Sequence, residues 1–217
     1  MKRLGPWLTL AAVAVLGLVL LVINMSKDTE PSTANTNAVV TTTTGPTTQA
    51  PPTTPPSVPF PGKADYVGTI PLAAGRAITL EITVAGDKAT AYACDGKAIE
   101  SWLQGSATNG SLQLTGKNDA ELTGAFNGKT VQGILRIGGK QWDYTAAPVQ
   151  PPAGLYVYSD AGTRQSWIVD ANGGVTGVQR NPDGSTASAV TLAPDATALV
   201  NGKKVTANKV SGGDSVG

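Results

Sequence analysis

Apolar and polar residues alternate along most of the chain beyond residue 62. The clearest stripe has an aliphatic side chain at every second position, namely Ile78, Leu80, Ile82 and Val84. The same alternation returns at residues 112–115, 130–137 and 141–145. A period of two is typical of a β-strand with one buried face and one wet face. Because no stretch beyond residue 62 keeps the 3.6-residue period of an amphipathic helix, we expect an all-β fold.

Turn-forming residue pairs divide these stretches into short strands. Most pairs stand about 8–12 residues apart, which is the spacing of all-β meanders, sandwiches and barrels. They are Gly86-Asp87, Asp95-Gly96, Asn109-Gly110, Lys117-Asn118, Asn127-Gly128 and Gly138-Gly139. We therefore expect an antiparallel meander that forms a small barrel-like β domain over residues 63–147.

A proline-rich connector at residues 148–153 interrupts the alternation, and a second, smaller β region follows at residues 154–217. Asn172-Gly173, Asp183-Gly184 and Asn201-Gly202 supply its turns. A region of this length buries too little apolar surface to be stable alone without a metal or a disulfide. We expect it to pack on the first β domain.

The N-terminus carries an uncharged, strongly apolar run at residues 7–23, preceded by Lys2 and Arg3. As a helix this run is roughly 26 Å long, just enough to cross a bilayer core of about 30 Å. The basic residues favour a cytoplasmic N-terminus. Residues 1–25 are thus predicted to be a cytoplasmic tip and a single-pass signal-anchor helix in the lipid bilayer, with the C-terminal domain extracytoplasmic. The alternative is a cleaved signal peptide, for which residues 32–34 offer the first small-x-small site.

Residues 26–62 are rich in threonine and proline and nearly lack large apolar side chains. Such a segment cannot offset the entropy of ordering, so we predict a disordered spacer. Stretched in polyproline conformation it reaches on the order of 100 Å. It is interpreted either as an O-glycosylated stalk or as an unmodified linker.

Composition excludes several chemistries. The formal net charge is +1 and only 14% of residues are charged, so no basic field for nucleic acid exists. The chain has no histidine and a single cysteine. A Ser-His-Asp triad and a zinc site are therefore excluded. The nucleotide-binding glycine motifs do not occur in the sequence either. Residues 170–174 begin like a calcium loop but lack its later ligands. We predict no catalytic, cofactor-binding or metal-binding residue, and a protein that is not an enzyme.

Four carboxylates lie on predicted strands and are the remaining candidates for a paired acid and base: Glu81, Glu100, Glu121 and Asp143. By alternation, Glu81, Glu121 and Asp143 fall on polar faces. We interpret those three as residues of a solvated sheet face.

Cys94 ends a strand on which Thr90, Tyr92 and Cys94 share one face and three alanines share the other. The bulk of Tyr92 and Cys94 favours the core for their face, where a free thiol behaves as a small hydrophobe. The alternative is a reactive or intermolecular thiol in an oxidising compartment.

The aromatic side chains give the weak binding candidates Trp102, Tyr156 and Tyr158. Period two places Trp102 opposite Leu103 and places both tyrosines opposite Leu155. If the aliphatic side chains face inward, the three aromatics face outward. There they either seat the second β region or form a platform for a sugar or a protein.

Six short segments carry a resemblance to a known family. They are residues 91–97 (AYACDGK), 102–105 (WLQG), 114–117 (LTGK), 138–142 (GGKQW), 154–156 (GLY) and 167–169 (WIV). In these segments the chain resembles an uncharacterised family of actinobacterial envelope proteins, over roughly residues 64–210. The resemblance implies an N-terminal anchor, a Pro/Thr-rich spacer and an extracytoplasmic β domain, and it implies no catalytic residue.

These observations support three functional hypotheses. The leading one is a membrane-anchored, extracytoplasmic, non-enzymatic module that binds an envelope polymer or a protein partner, or has a structural role in the envelope. The alternative is a carrier that holds a small apolar ligand inside a β-barrel. A hydrolase with two carboxylates is a distant third. The oligomeric state is not predicted.

Overall fold

The computed structural model describes residues 58–215. The predicted membrane helix and the predicted spacer up to residue 57 lie outside the described residues. Within residues 58–215 the fold is all-β, as the alternation predicts, and the only helical element is a short 3-10 turn at Ala73–Gly75. No helix in this part of the chain is long and apolar enough to cross a membrane.

Eight antiparallel strands form a closed barrel in which each strand pairs with the next along the chain. They are β1 (Lys63–Pro71), β2 (Ala77–Ala85), β3 (Lys88–Cys94), β4 (Glu100–Thr108), β5 (Ser111–Gly116), β6 (Glu121–Phe126), β7 (Val131–Ile137) and β8 (Lys140–Val149). The first and last strands close the barrel, with Asp65 opposite Val149 and Val67 opposite Ala147. The predicted meander therefore closes completely and leaves no edge in this sheet.

The barrel interior is filled by side chains. The predicted stripe on β2, from Ile78 to Val84, is fully buried there, and Tyr66 and Tyr144 add bulk from β1 and β8. Space is tight, because a Cβ atom at Gly124 would overlap the Tyr144 hydroxyl. A Cβ at Gly133 would likewise overlap the Thr123 backbone. Glycine at these two positions lets a small barrel close around its own core.

Residues 58–62, which the sequence places at the end of the spacer, lie against the barrel. Phe60 stacks on Phe126, with 5.2 Å between ring centroids, and meets the Tyr66 ring edge-on at 6.2 Å. Val58 lies against the turn at Gly110. Residues 58–62 therefore belong to the folded unit and not to the disordered segment predicted over residues 26–62.

The second β region forms a five-stranded sheet and a hairpin. Its strands are β9 (Gly154–Asp160), β10 (Thr163–Val169), β11 (Val175–Arg180), β12 (Thr186–Ser188), β13 (Thr197–Val200), β14 (Lys203–Thr206) and β15 (Asn208–Lys209). The sheet order is β12-β11-β10-β9-β15, and β13 pairs with β14. On one face Leu155, Ile168 and Val178 pack against the outer surface of the barrel. On the other face Tyr156 and Trp167 pack against residues of the hairpin.

Tyr92 and Cys94 are buried as expected, although outside the barrel, and the interpretation of Glu81 as solvated is wrong. On β3 the alanines, not Tyr92 and Cys94, face the barrel interior. Tyr92 and Cys94 are buried on the outside, in a cluster with Leu155 of the second sheet. Glu81 points to this same outer face and is fully buried rather than solvated. The common reason is that the second sheet covers this side of the barrel, so both faces of β2 and β3 are dry.

Glu121 and Asp143 lie on a solvated face of the sheet, as expected. Glu121 is about half exposed and forms an ion pair with Arg136 at 2.7 Å, and Asp143 is exposed. These residues lie on β6 and β8. The barrel surface at these two positions is open to solvent, so alternation alone describes them correctly.

Candidate functional site

The structure does not bring the three aromatic candidates onto one surface. Trp102 lies on the outer face of β4, half-buried in the cluster between barrel and second sheet. Tyr156 is only 8% exposed and faces the opposite side of β9, where its hydroxyl donates a hydrogen bond to the Pro152 carbonyl at 2.8 Å. Tyr158 packs beside it on that side. The β9 strand therefore separates Trp102 from both tyrosines, and no shared platform forms.

Trp102 instead belongs to a polar site centred on Glu100. The Glu100 side chain is 1% exposed, and it accepts hydrogen bonds from Arg180 Nε at 2.7 Å and from Arg164 Nη2 at 3.2 Å. The Tyr92 hydroxyl at 3.3 Å and Trp102 Nε1 at 3.4 Å also donate to Glu100 Oε1. Charge-assisted bonds to a buried carboxylate are among the stronger hydrogen bonds in proteins. Glu100 therefore holds the side chains of Arg164 and Arg180 in place.

Strand register explains why two arginines converge on Glu100. Arg164 on β10 pairs directly with Arg180 on β11, so both side chains leave the same face of the second sheet. Like charges directly opposite each other are destabilising unless a counter-charge lies between them. Glu100, at the start of β4, supplies that counter-charge from the barrel.

Trp102 positions one of the two guanidinium groups. The Arg164 guanidinium lies over the Trp102 ring, 5.2 Å from its centroid, and the Tyr92 ring packs against Trp102 at 4.5 Å. The Trp102 ring is therefore in contact with both Arg164 and Tyr92. A cation over an indole ring is held by the ring quadrupole and loses little mobility when a ligand arrives.

The two arginines open onto a cleft of about 620 Å³. It lies between β4, the end of β5 with its following turn, and the second sheet. Lys117 is the third cationic side chain of the lining, whereas Glu100 is the only carboxylate there among the described residues. Trp102 is the only large apolar side chain, and the neutral polar groups are Ser101, Gln104, Thr115 and Asn118. The lining of the cleft therefore carries an excess of positive charge.

Sequence reasoning named Glu100 and Trp102 as separate candidates but missed the two arginines that join them in one site. Glu100 lies 64 residues from Arg164 and 80 residues from Arg180 along the chain. No local motif links residues so far apart, and Lys117 was noted only as part of a turn. The one available signal was the pair of arginines on neighbouring strands of one hairpin, which becomes informative only once the register is known.

A second group of charges lies beside the second sheet, with Glu81 fully buried and the other two charged side chains partly exposed. Asp65 on β1 forms an ion pair with Lys209 on β15 at 2.7 Å. Near them, neither carboxylate oxygen of Glu81 has a hydrogen-bond partner among the described residues. Burial raises the pKa of the Glu81 carboxyl well above its ordinary value, Asp65 raises it further, and Lys209 lowers it. Burial thus favours the neutral form of Glu81, and the side chain has no access to a dissolved substrate.

Cys94 is equally enclosed. Burial raises the pKa of its thiol to about 12, so the thiolate is not populated at neutral pH. This favours the interpretation of Cys94 as a small hydrophobe over that of a reactive thiol.

Metal ligands are not grouped anywhere in residues 58–215, where no three His, Cys, Asp or Glu side chains lie close enough to hold an ion. The segment that begins like a calcium loop is a hairpin turn between β10 and β11. Asp170 Oδ1 there accepts hydrogen bonds from the backbone N–H groups of Asn172 at 2.7 Å and Gly174 at 2.8 Å.

Comparisons of the chain with protein-family models, with curated proteins and with solved structures found no match.

Proposed function

We propose that this chain is a membrane-anchored, extracytoplasmic, non-enzymatic binding module. A single N-terminal helix holds it in the cell membrane, the Thr/Pro-rich segment spaces it from the bilayer, and the β unit presents the cleft to a component of the envelope. The observation that carries the binding role is the pair of arginines fixed by a buried glutamate at the edge of an open cleft.

The tether is supported by the sequence. Lys2 and Arg3 followed by an uncharged apolar run favour an anchor with the remainder of the chain outside. The spacer supplies a reach on the order of 100 Å. The resemblance to anchored envelope proteins supports the same arrangement.

Binding is favoured over catalysis by the state of the acidic groups. A general acid or base needs access to the reacting atoms and a free proton site. Glu100 is occupied by its ion pairs with Arg164 and Arg180, and Glu81 is enclosed. A hydrolase that uses two carboxylates therefore has no support among the described residues.

The carrier alternative also lacks support. A carrier needs an apolar cavity of ligand size. The barrel interior is instead packed with aliphatic and aromatic side chains, from Tyr66 on β1 to Tyr144 on β8.

Two measurements test this proposal. Protease added to intact cells is expected to remove a C-terminal tag, because the β unit lies outside; a protected tag would contradict the topology. The full chain, purified in detergent, is then mixed with unfractionated insoluble envelope material and sedimented. Co-sedimentation above a bovine serum albumin control supports a binding module, and recovery of all protein in the supernatant contradicts it.

A further inference from the structure

The chemistry of the cleft indicates the class of its ligand. We infer that the cleft binds a hydroxyl-rich anionic polymer of the envelope, and that Arg164, Arg180 and Lys117 pair with its carboxylate or phosphate groups. This inference rests on the proposed function and specifies the ligand for the same surface.

The arginine pair is built to receive an oxyanion. Glu100 carries one charge and holds two guanidinium groups, so a positive charge remains at the cleft. Arg180 uses Nε for Glu100 and Nη1 for the Gly184 carbonyl, and Arg164 uses Nη2 for Glu100. Within the described residues, Arg180 Nη2 and Arg164 Nη1 donate no hydrogen bond to the protein. Guanidinium groups held in place are suited to paired recognition of a carboxylate or a phosphate.

Preorganisation distinguishes this pair from ordinary surface arginines. Arg164 is fixed by the Trp102 ring on one side and by Glu100 on the other, and its side chain is only 19% exposed. Side chains that are already immobile before binding lose little entropy when the ligand arrives. Surface arginines that lack such support contribute little to specific recognition.

The remaining lining favours a polymer with hydroxyl groups over a peptide. Thr115 and Asn118 are exposed at the cleft, with side chains that both donate and accept hydrogen bonds. No aliphatic side chain lines the cleft among the described residues. Peptide grooves and protein interfaces depend on apolar pockets for anchoring side chains, and this cleft provides none beyond the Trp102 side chain.

The size of the cleft fits more than an isolated ion. Its volume of about 620 Å³ lies within the range of sites that enclose a small organic ligand. A single phosphate or carboxylate would occupy only the part beside the arginines. The rest, towards Lys117 and Asn118, has room for neighbouring units of a chain.

The test measures binding of the full chain, purified in detergent, to defined polymers by isothermal titration at low salt. Oligogalacturonate is the carboxylate probe, polyglycerol phosphate is the phosphate probe, and dextran is the neutral probe. We expect saturable binding of at least one acidic polymer, no binding of dextran, and marked weakening as salt is raised. The acidic polymer that binds more tightly identifies the oxyanion.

Matched variants assign the binding to the cleft. Arg180→Gln is expected to lower the affinity about tenfold, and Lys117→Gln, at an exposed turn position, about threefold. Arg136→Gln is the control, because Arg136 does not line the cleft. Like Arg180, Arg136 pairs with a glutamate at 2.7 Å, and its side chain is 44% exposed against 36% for Arg180. Lys117→Gln breaks no contact of the fold, so it keeps the test valid if Arg180→Gln folds poorly.

Three results would overturn the inference. The first is dextran binding as tightly as the acidic polymers, and the second is either cleft variant binding as tightly as Arg136→Gln. The third is polyglutamate or phosphatidylglycerol vesicles binding more tightly than both polymers. If dextran alone binds, the ligand class is wrong, whereas co-sedimentation with envelope material still supports a binding module. If nothing binds, and whole envelope material also leaves the protein in the supernatant, both proposals fail.

Discussion

Replacing Glu81 with glutamine tests whether a neutral carboxyl is enclosed between the barrel and the second sheet. The folded-state pKa of Glu81 is raised, so the folded protein binds this proton more tightly than the unfolded chain does. Its contribution to stability is therefore complete below the ordinary pKa of 4.5 and is lost as the pH rises towards the folded-state pKa. Glutamine has nearly the same shape as the neutral acid and does not titrate.

The expected magnitude follows from proton linkage. One proton held only by the folded state changes the free energy of unfolding by about 1.4 kcal/mol per pH unit. If the folded protein keeps this carboxyl neutral up to pH 7, Glu81→Gln is more stable than the parent protein at pH 7. The difference in the free energy of unfolding is at most about 3 kcal/mol. At about 2–4 °C per kcal/mol for a unit of this size, that is a rise in Tm of about 6–12 °C.

The assay is thermal unfolding of both proteins from pH 4 to pH 8, followed by circular dichroism. Subtracting the two curves removes the effect of every other titrating group. The difference is expected near zero at pH 4 and to grow in favour of glutamine above pH 4.5. Glu121→Gln is the control, because Glu121 is exposed, and it should show no such growth. A Glu81→Gln protein that is less stable than the parent at pH 7 would refute the assignment of a neutral, unpaired carboxyl.

Three further predictions concern packing; the first two are measured by chemical denaturation, and the third by thermal unfolding and polymer titration. Leu80→Ala should lower the free energy of unfolding by about 2–5 kcal/mol, because Leu80 is fully buried in the barrel. Thr79→Ala should lower it by about 1 kcal/mol through the lost hydrogen bond to Thr176, and equal losses would refute the face assignment. Gly133→Ala should lower the free energy of unfolding by about 3 kcal/mol, because the new Cβ atom overlaps the Thr123 backbone. Gly62→Ala, with open space around the residue, should be neutral, and a tolerated Gly133→Ala would contradict the close approach of β6 and β7. Trp102→Ala should lower Tm by about 5–10 °C and also weaken polymer binding, because it removes the support of Arg164; unchanged binding would exclude that positioning role.

The sequence predicts the barrel strands well because their alternation is set by one strongly apolar interior. Ile78 and Leu80 are buried where period two places them. Alternation does not say which face is the interior when both faces are buried. Glu81 was therefore assigned wrongly, and Tyr92 is buried as expected but outside the barrel, since the second sheet covers the outer face of β2 and β3.

The candidate site could be predicted only in fragments. Trp102 was placed correctly on the outer face of its strand, and contact with the second β region was one of its two expected roles. Its partner Arg164 and the carboxylate Glu100 are brought together by the packing of one sheet on the other. That packing depends on strand register and on the position of the connector, and neither can be read from local residue patterns.

The most direct test of the cleft as a polymer-binding site is to observe the indole N–H signal of Trp102 by NMR. The full chain, labelled with ¹⁵N in detergent, is titrated with the acidic polymer that binds most tightly, and Trp102→Phe assigns the signal. Trp102 Nε1 donates to Glu100 within the cleft, whereas Trp167 is fully buried in the second sheet and donates to the Val190 carbonyl. We predict that the Trp102 signal shifts in a saturable way while that of Trp167 stays fixed. A Trp102 signal that does not move at saturating polymer would contradict the account.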